Sequence, residues 1–185
     1  MFFSGDTMDR KTDKAELEEA LRTMRPAEWE QIPDIDLYKD QLTEYLKRQH
    51  IGFALGMEEP LTSAMINNYI KSGVLPRAKG KRYDRDHIAY LTAVALLKQV
   101  LSVQETGDLL RTAMDEDEVK DFYCRYSEAL DRALTRAADE LGSYGTEDKL
   151  KALALDLAVE SYADKLLARE LIQMLGSDGS GEDEQ

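Results

Sequence analysis

The chain has 185 residues, a net charge of −13 and 33% charged residues. That balance favours solubility and argues against nonspecific binding to nucleic acid by the molecule as a whole. A single cysteine, Cys124, rules out an intrachain disulfide framework or a Cys-rich metal site. It reads as a half-buried helix residue in a reducing compartment, the cytoplasm. The opening MFFSGDTMDRKTDK holds no long apolar run, so neither a signal peptide nor a membrane anchor is expected. No segment approaches the roughly 20 apolar residues that span a bilayer.

Residues 1–13 are polar and turn-rich and are expected to be disordered. Residues 14–24 carry Leu17, Ala20, Leu21 and Met24 at helical core spacing. RPAEWEQIPDID breaks the pattern, with Trp29 as a hydrophobic pin and Asp34 or Asp36 as cap of the next helix. That helix, LYKDQLTEYLKRQHIGFAL, turns Leu37, Leu42, Tyr45 and Leu46 inward, and GMEEP ends it. LTSAMINNYIKSG follows, between a Thr62 N-cap and a Gly73 stop, with Met65, Ile66, Tyr69 and Ile70 inside. VLPRAKGKRY reads as a tight two-stranded hairpin turning near Lys79 and Gly80.

Asp84 caps a helix with Ile88, Leu91, Val94, Ala95 and Leu97 inside. Ser102 and Glu105 form a capping box for another, with Val103, Thr106, Leu109 and Leu110. Residues 115–141 carry Val119, Phe122, Tyr123, Tyr126, Leu130, Ala133, Leu134 and Leu141 on one face, behind the acids of DEDE. Residues 147–175 form a long helix that is apolar on more than one side, including Leu153, Leu157, Leu166, Leu167 and Leu171. It must pack inside a bundle or against a second copy of the chain. The tail 176–185 is Gly/Ser-rich, acidic and expected to be disordered.

Lys71, Arg77, Lys79, Lys81 and Arg82 are five basic residues with no acid among them, which leaves −18 for the remainder of a chain whose total is −13. Phosphate binding needs a local concentration of cations, not a basic whole. Just before this island, Ser63, Asn67, Asn68 and Lys71 fall on the outer surface of the 62–72 helix. An Asn amide donates and accepts at once, which matches the N7 and N6 edge of adenine. Asparagine inside a helix costs about 0.5 kcal/mol relative to alanine. A short polar-faced helix, a basic hairpin and a capped helix in that order are the layout of a winged helix-turn-helix.

LTSAMINNYIKSGVLPRAKGKRYDRDHIAYLTAVALLKQVLSVQETGDLL, 61–110, together with IPDIDLYKDQL, 32–42, resembles the bacterial family called domain of unknown function 1836. MINNY, GKRY and LKQVLS carry the resemblance, which covers about residues 30–112. More distantly, the same stretch is similar to the MerR-type winged helix-turn-helix regulators. Tyr69 followed by Gly73, Leu75 and Pro76 resembles their corner, and Arg82-Tyr83 resembles the end of their wing. Leu97-Lys98, Leu101 to Glu105 and Leu109-Leu110 resemble their closing helix pair. Asn67 stands where those regulators usually have Arg, and MEEP adds an acidic turn. The resemblance implies binding of double-stranded DNA by a homodimer. It leaves room for a small-molecule effector, though not a thiolate-bound metal, because the sensing cysteines are absent.

No HExxH, GxSxG, P-loop or paired-Cys motif is present. His50 and His87 are expected at the surface or at helix ends, and the carboxylates read as solvated faces, so no enzyme, metal or cofactor is expected. The reading is therefore a mainly α protein. Residues 14–112 form a helical lead-in and a MerR-like winged helix-turn-helix with a short β-hairpin wing. Residues 113–175 form a helical region for dimerisation or effector sensing. Ser63, Asn67, Asn68 and Lys71 face the bases, and Arg77, Lys79, Lys81 and Arg82 face phosphates, in a cytoplasmic transcriptional regulator. The competing reading is a helical interaction protein whose basic hairpin docks on an acidic partner.

Overall fold

The computed structural model describes residues 13–49, 61–113 and 118–177. The expectations for His50, for GMEEP, for the first three acids of DEDE and for residues 1–12 and 178–185 lie outside them. In chain order the elements are α1 (Lys14–Thr23), a 3-10 turn (Trp29–Gln31), β1 (Leu37–Tyr38), α2 (Lys39–Leu46), α3 (Ser63–Lys71), β2 (Arg82–Tyr83), α4 (Arg85–Leu97), α5 (Val103–Ala113), α6 (Val119–Ser143) and α7 (Glu147–Ser177). The protein is mainly helical, with one two-stranded antiparallel sheet among the described residues.

The fold is organised around α4. Ile88, Ala89, Leu91, Thr92, Ala93, Val94 and Ala95 are all buried, so apolar or small side chains surround this helix on every side. A helix of that kind must sit at the centre. It packs against α2, β2 and α6. Leu42 and Leu46 of α2, Ile66 and Tyr69 of α3, Leu110 of α5, and Phe122 and Tyr123 of α6 complete one core. That core runs straight across residue 112, and α6 belongs to it as firmly as α2 does.

Several local expectations are corrected. Neither Asp34 nor Asp36 caps α2. The chain there is extended, Leu37 pairs with Tyr83 and Tyr38 with Arg82, and the helix begins only at Lys39. Asp34 instead lies 3.6 Å from the Arg85 guanidinium. The helix that opens at Lys39 closes at Leu46, and the 50–55 part of that expectation lies outside the described residues. Met65 is 38% exposed, while Ile66 and Tyr69 are buried and Ile70 packs half-buried against the core. Ala133 faces solvent on α6. The bundle-interior placement of the long helix is also overturned: α7 packs against α5 and buries only Leu153 and Ile172. Leu157, Leu166, Leu167 and Leu171 stay exposed, and the helix extends to Ser177, into the stretch read as tail. Trp29 does act as a pin, with its ring 6.1 Å from that of Tyr123 and the Arg85 guanidinium 5.6 Å from its centroid.

One glycine is required by contact. A Cβ on Gly107 would lie 2.7 Å from Val74 Cγ2, and a β-branched side chain has little freedom to retreat. Alanine gains about 1 kcal/mol of helix propensity, while overpacking costs about 1–3 kcal/mol. Gly107→Ala is therefore expected to lower the melting temperature by a few degrees. The same change in a Val74→Ala background should be neutral or stabilising, and paired thermal melts would check the difference.

Candidate nucleic-acid interface

Helix α3 is held at both ends by its own sequence. The Thr62 hydroxyl accepts from the Met65 N–H at 3.2 Å. At the other end Gly73 adopts φ 75°, and the Val74 and Leu75 N–H groups return to the Tyr69 carbonyl at 3.0 and 3.2 Å. With Ile66 and Tyr69 buried, Ser63, Asn67, Asn68 and Lys71 remain exposed on the outer arc.

These same hydrogen bonds change the expected hairpin. Val74 and Leu75 have spent their donors on closing α3, and Pro76 has none to offer, so 74–76 does not form a strand. What remains is a turn: the Arg82 N–H donates to the Lys79 carbonyl at 3.0 Å, and Gly80 and Lys81 between them both have positive φ, 57° and 66°. Two central residues at positive φ are the pattern of a type I′ turn. The outgoing strand meets the incoming limb only at a Lys79–Arg82 bridge and pairs otherwise with β1. The result is a basic loop pinned to the N-terminal end of α2, which brings Lys39 and Lys81, far apart in sequence, to one groove.

A groove of about 570 Å³ lies between β1–α2, α3 and this loop. Asn67, Arg77 and Lys81 line it together, and so do Tyr38, Lys39, Asp40, Ile70 and Tyr83. The Lys39 ammonium donates to Asn67 Oδ1 at 3.2 Å, which leaves the amide nitrogen of Asn67 to meet a ligand. Ser63, Asn68, Lys71 and Lys79 are exposed outside the groove. Arg82 is drawn aside: its guanidinium donates to the Tyr38 hydroxyl at 3.1 Å and lies 5.2 Å from that ring's centroid. Lys39 and Tyr38 escaped the sequence reading. No local signal marks them, because only the β1–β2 pairing brings them to residues far along the chain.

The loop is tied to α4 through Asp84 and His87. Asp84 caps α4, accepting from the His87 N–H at 3.1 Å. His87 lies in the first turn of α4, at a helix end as expected, but it is not at the surface: it is only 4% exposed. Its Nδ1 lies 2.6 Å from Asp84 Oδ1 and its Nε2 lies 3.3 Å from the Pro76 carbonyl oxygen. Burial works to raise the Asp84 carboxyl, but hydrogen bonds from the His87 side chain and backbone outweigh it and hold the group below its usual range. A carboxyl lowered by folding stabilises the fold above the ordinary carboxylate range, and that contribution is lost as pH falls through the lowered value. Asp84→Asn keeps a cap but removes the charge. It is expected to melt lower than the parent at neutral pH, with the gap closing in acid, as a series of melts against pH would show.

Among the described residues no three His, Cys, Asp or Glu side chains converge as metal ligands, and no helix is long and apolar enough to cross a membrane. No curated protein and no solved structure matches the chain. One family model does match, over residues 27–129, which is more than half of the length and spans the segment from Trp29 through Tyr123 that builds the core. The chain belongs to the family described as Domain of unknown function (DUF1836).

Proposed function

We propose that this protein is a DNA-binding transcriptional regulator with a MerR-like winged helix-turn-helix, acting as a homodimer on two-fold-symmetric sites. In this reading α2 and α3 are the helix pair, α3 enters the major groove, the 77–82 loop is the wing, and α4 and α5 close the domain. The observation that supports it is convergence: Lys39, Asn67, Arg77 and Lys81 come from three separate segments to line one groove, in a chain that is otherwise strongly acidic. Such a distribution concentrates cations where phosphates would lie and leaves an Asn amide in the lining to address a base edge.

The test is selection of genomic DNA fragments by the purified protein at moderate salt. Enrichment of a symmetric motif supports the reading. Asn67→Ala should then relax the preference at individual positions, costing roughly 1–3 kcal/mol of discrimination, while Lys81→Ala weakens all duplexes alike. No enrichment at any salt by a folded sample would turn the assignment to the helical interaction protein.

A further inference from the structure

Helix α7 has 31 residues and is about 46 Å long. On the face turned away from Leu153 runs an apolar stripe: Leu155 is 65% exposed, Val159 61%, Tyr162 69% and Leu166 47%. Their spacing of four, three and four is the d–a–d–a seam of a coiled coil. Monomeric proteins rarely leave a continuous stripe of this kind open to water. The flanks of the seam identify the occupant. With Val159 and Leu166 at a, the g positions are Lys151, Ala158 and Lys165, and the e positions are Asp156, Ala163 and Glu170. One flank is basic and the other acidic, with an alanine at the middle of each.

We infer that α7 pairs with α7 of a second copy, parallel and in register. In a parallel pair each g residue meets the e residue five positions further along the other helix. Lys151 then faces Asp156 of the second copy, Ala158 faces Ala163, and Lys165 faces Glu170, so all three pairings are matched on both sides of the seam. An antiparallel pair brings g to g and e to e, setting lysine against lysine and acid against acid. The charge pattern thus selects a second copy as partner and excludes one of its two orientations. The inference deepens the homodimer of the proposed function and rests on that part of the reading alone; DNA plays no part in it.

Disulfide trapping of the full chain, without DNA, tests it. In a Cys124→Ser background, Leu155→Cys and Leu166→Cys are each introduced singly at exposed positions, with far-UV circular dichroism to confirm the fold. The expected result is that sedimentation gives a dimer, that each single-cysteine chain oxidises with itself, and that Val159→Arg abolishes both. An antiparallel pair would leave each chain alone unlinked and join only the mixture, which overturns the inference. A monomer by sedimentation also overturns it. Loss of DNA binding with an intact self-linked dimer would sink the proposed function and leave this inference standing.

Discussion

Neutralising Arg77, Lys79 and Lys81 to alanine together is expected to lower duplex affinity roughly 500-fold at 0.1 M salt, because each phosphate contact contributes about a factor of eight there relative to 1 M. The slope of log affinity against log salt should fall by about 2.7 units. All three side chains are exposed on the loop between α3 and β2, so the fold should not suffer. Arg82 is left in place because it holds Tyr38 at the groove edge. Fluorescence anisotropy titrations of the triple variant and its parent at several salt concentrations measure both quantities. An unchanged slope would mean that the loop makes no phosphate contacts, even if affinity falls for another reason.

Tyr123→Ala is expected to cost about 3–5 kcal/mol, as large aromatic truncations in cores do, and to lower the melting temperature by on the order of 10 °C. Tyr123 is 1% exposed, and its hydroxyl donates to the Ala27 carbonyl at 2.6 Å. Its ring also packs against Trp29 and, at 5.8 Å, against Tyr126. One side chain therefore ties the segment before β1 to α6. Tyr123→Phe separates the parts: it keeps the ring and loses the hydrogen bond, for about 1 kcal/mol. The two variants compared by thermal or urea melts would show how much of the attachment is packing. If the alanine variant melted like the parent, α6 would not share the core.

Most helix positions in this chain follow from its sequence alone, because their determinants are local. Thr62, Asp84 and the Ser102–Glu105 pair cap the helices they precede, with the Ser102 N–H donating to Glu105 at 2.8 Å and the Glu105 N–H to Ser102 at 3.2 Å. Gly73 closes α3 at positive φ, and the 3.6-residue period marks α6. Family membership was legible too, in MINNY, GKRY and LKQVLS. The asparagines of MINNY and the basic island could be seen as exposed and close in sequence, and Asn67, Arg77 and Lys81 do share one groove.

Tertiary structure alone decided the rest. A strand of two residues has no period of its own, so Leu37–Tyr38 could not be told from the start of a helix until Arg82–Tyr83 supplied its partner. That pairing delivers Lys39 to Asn67 across 28 positions and draws Arg82 onto Tyr38. The hairpin shrank to a single turn because Val74 and Leu75 gave their N–H groups to the end of α3, a competition between backbone partners that composition does not reveal. His87 is buried because Pro76 and Asp84 meet it from opposite sides, which depends on where the chain returns. For α7 the sequence specified an apolar surface on more than one side, but only the packing determined which side the chain covers itself and which stays exposed. Local propensity and capping act within a few residues. Burial is set by what arrives from far along the chain.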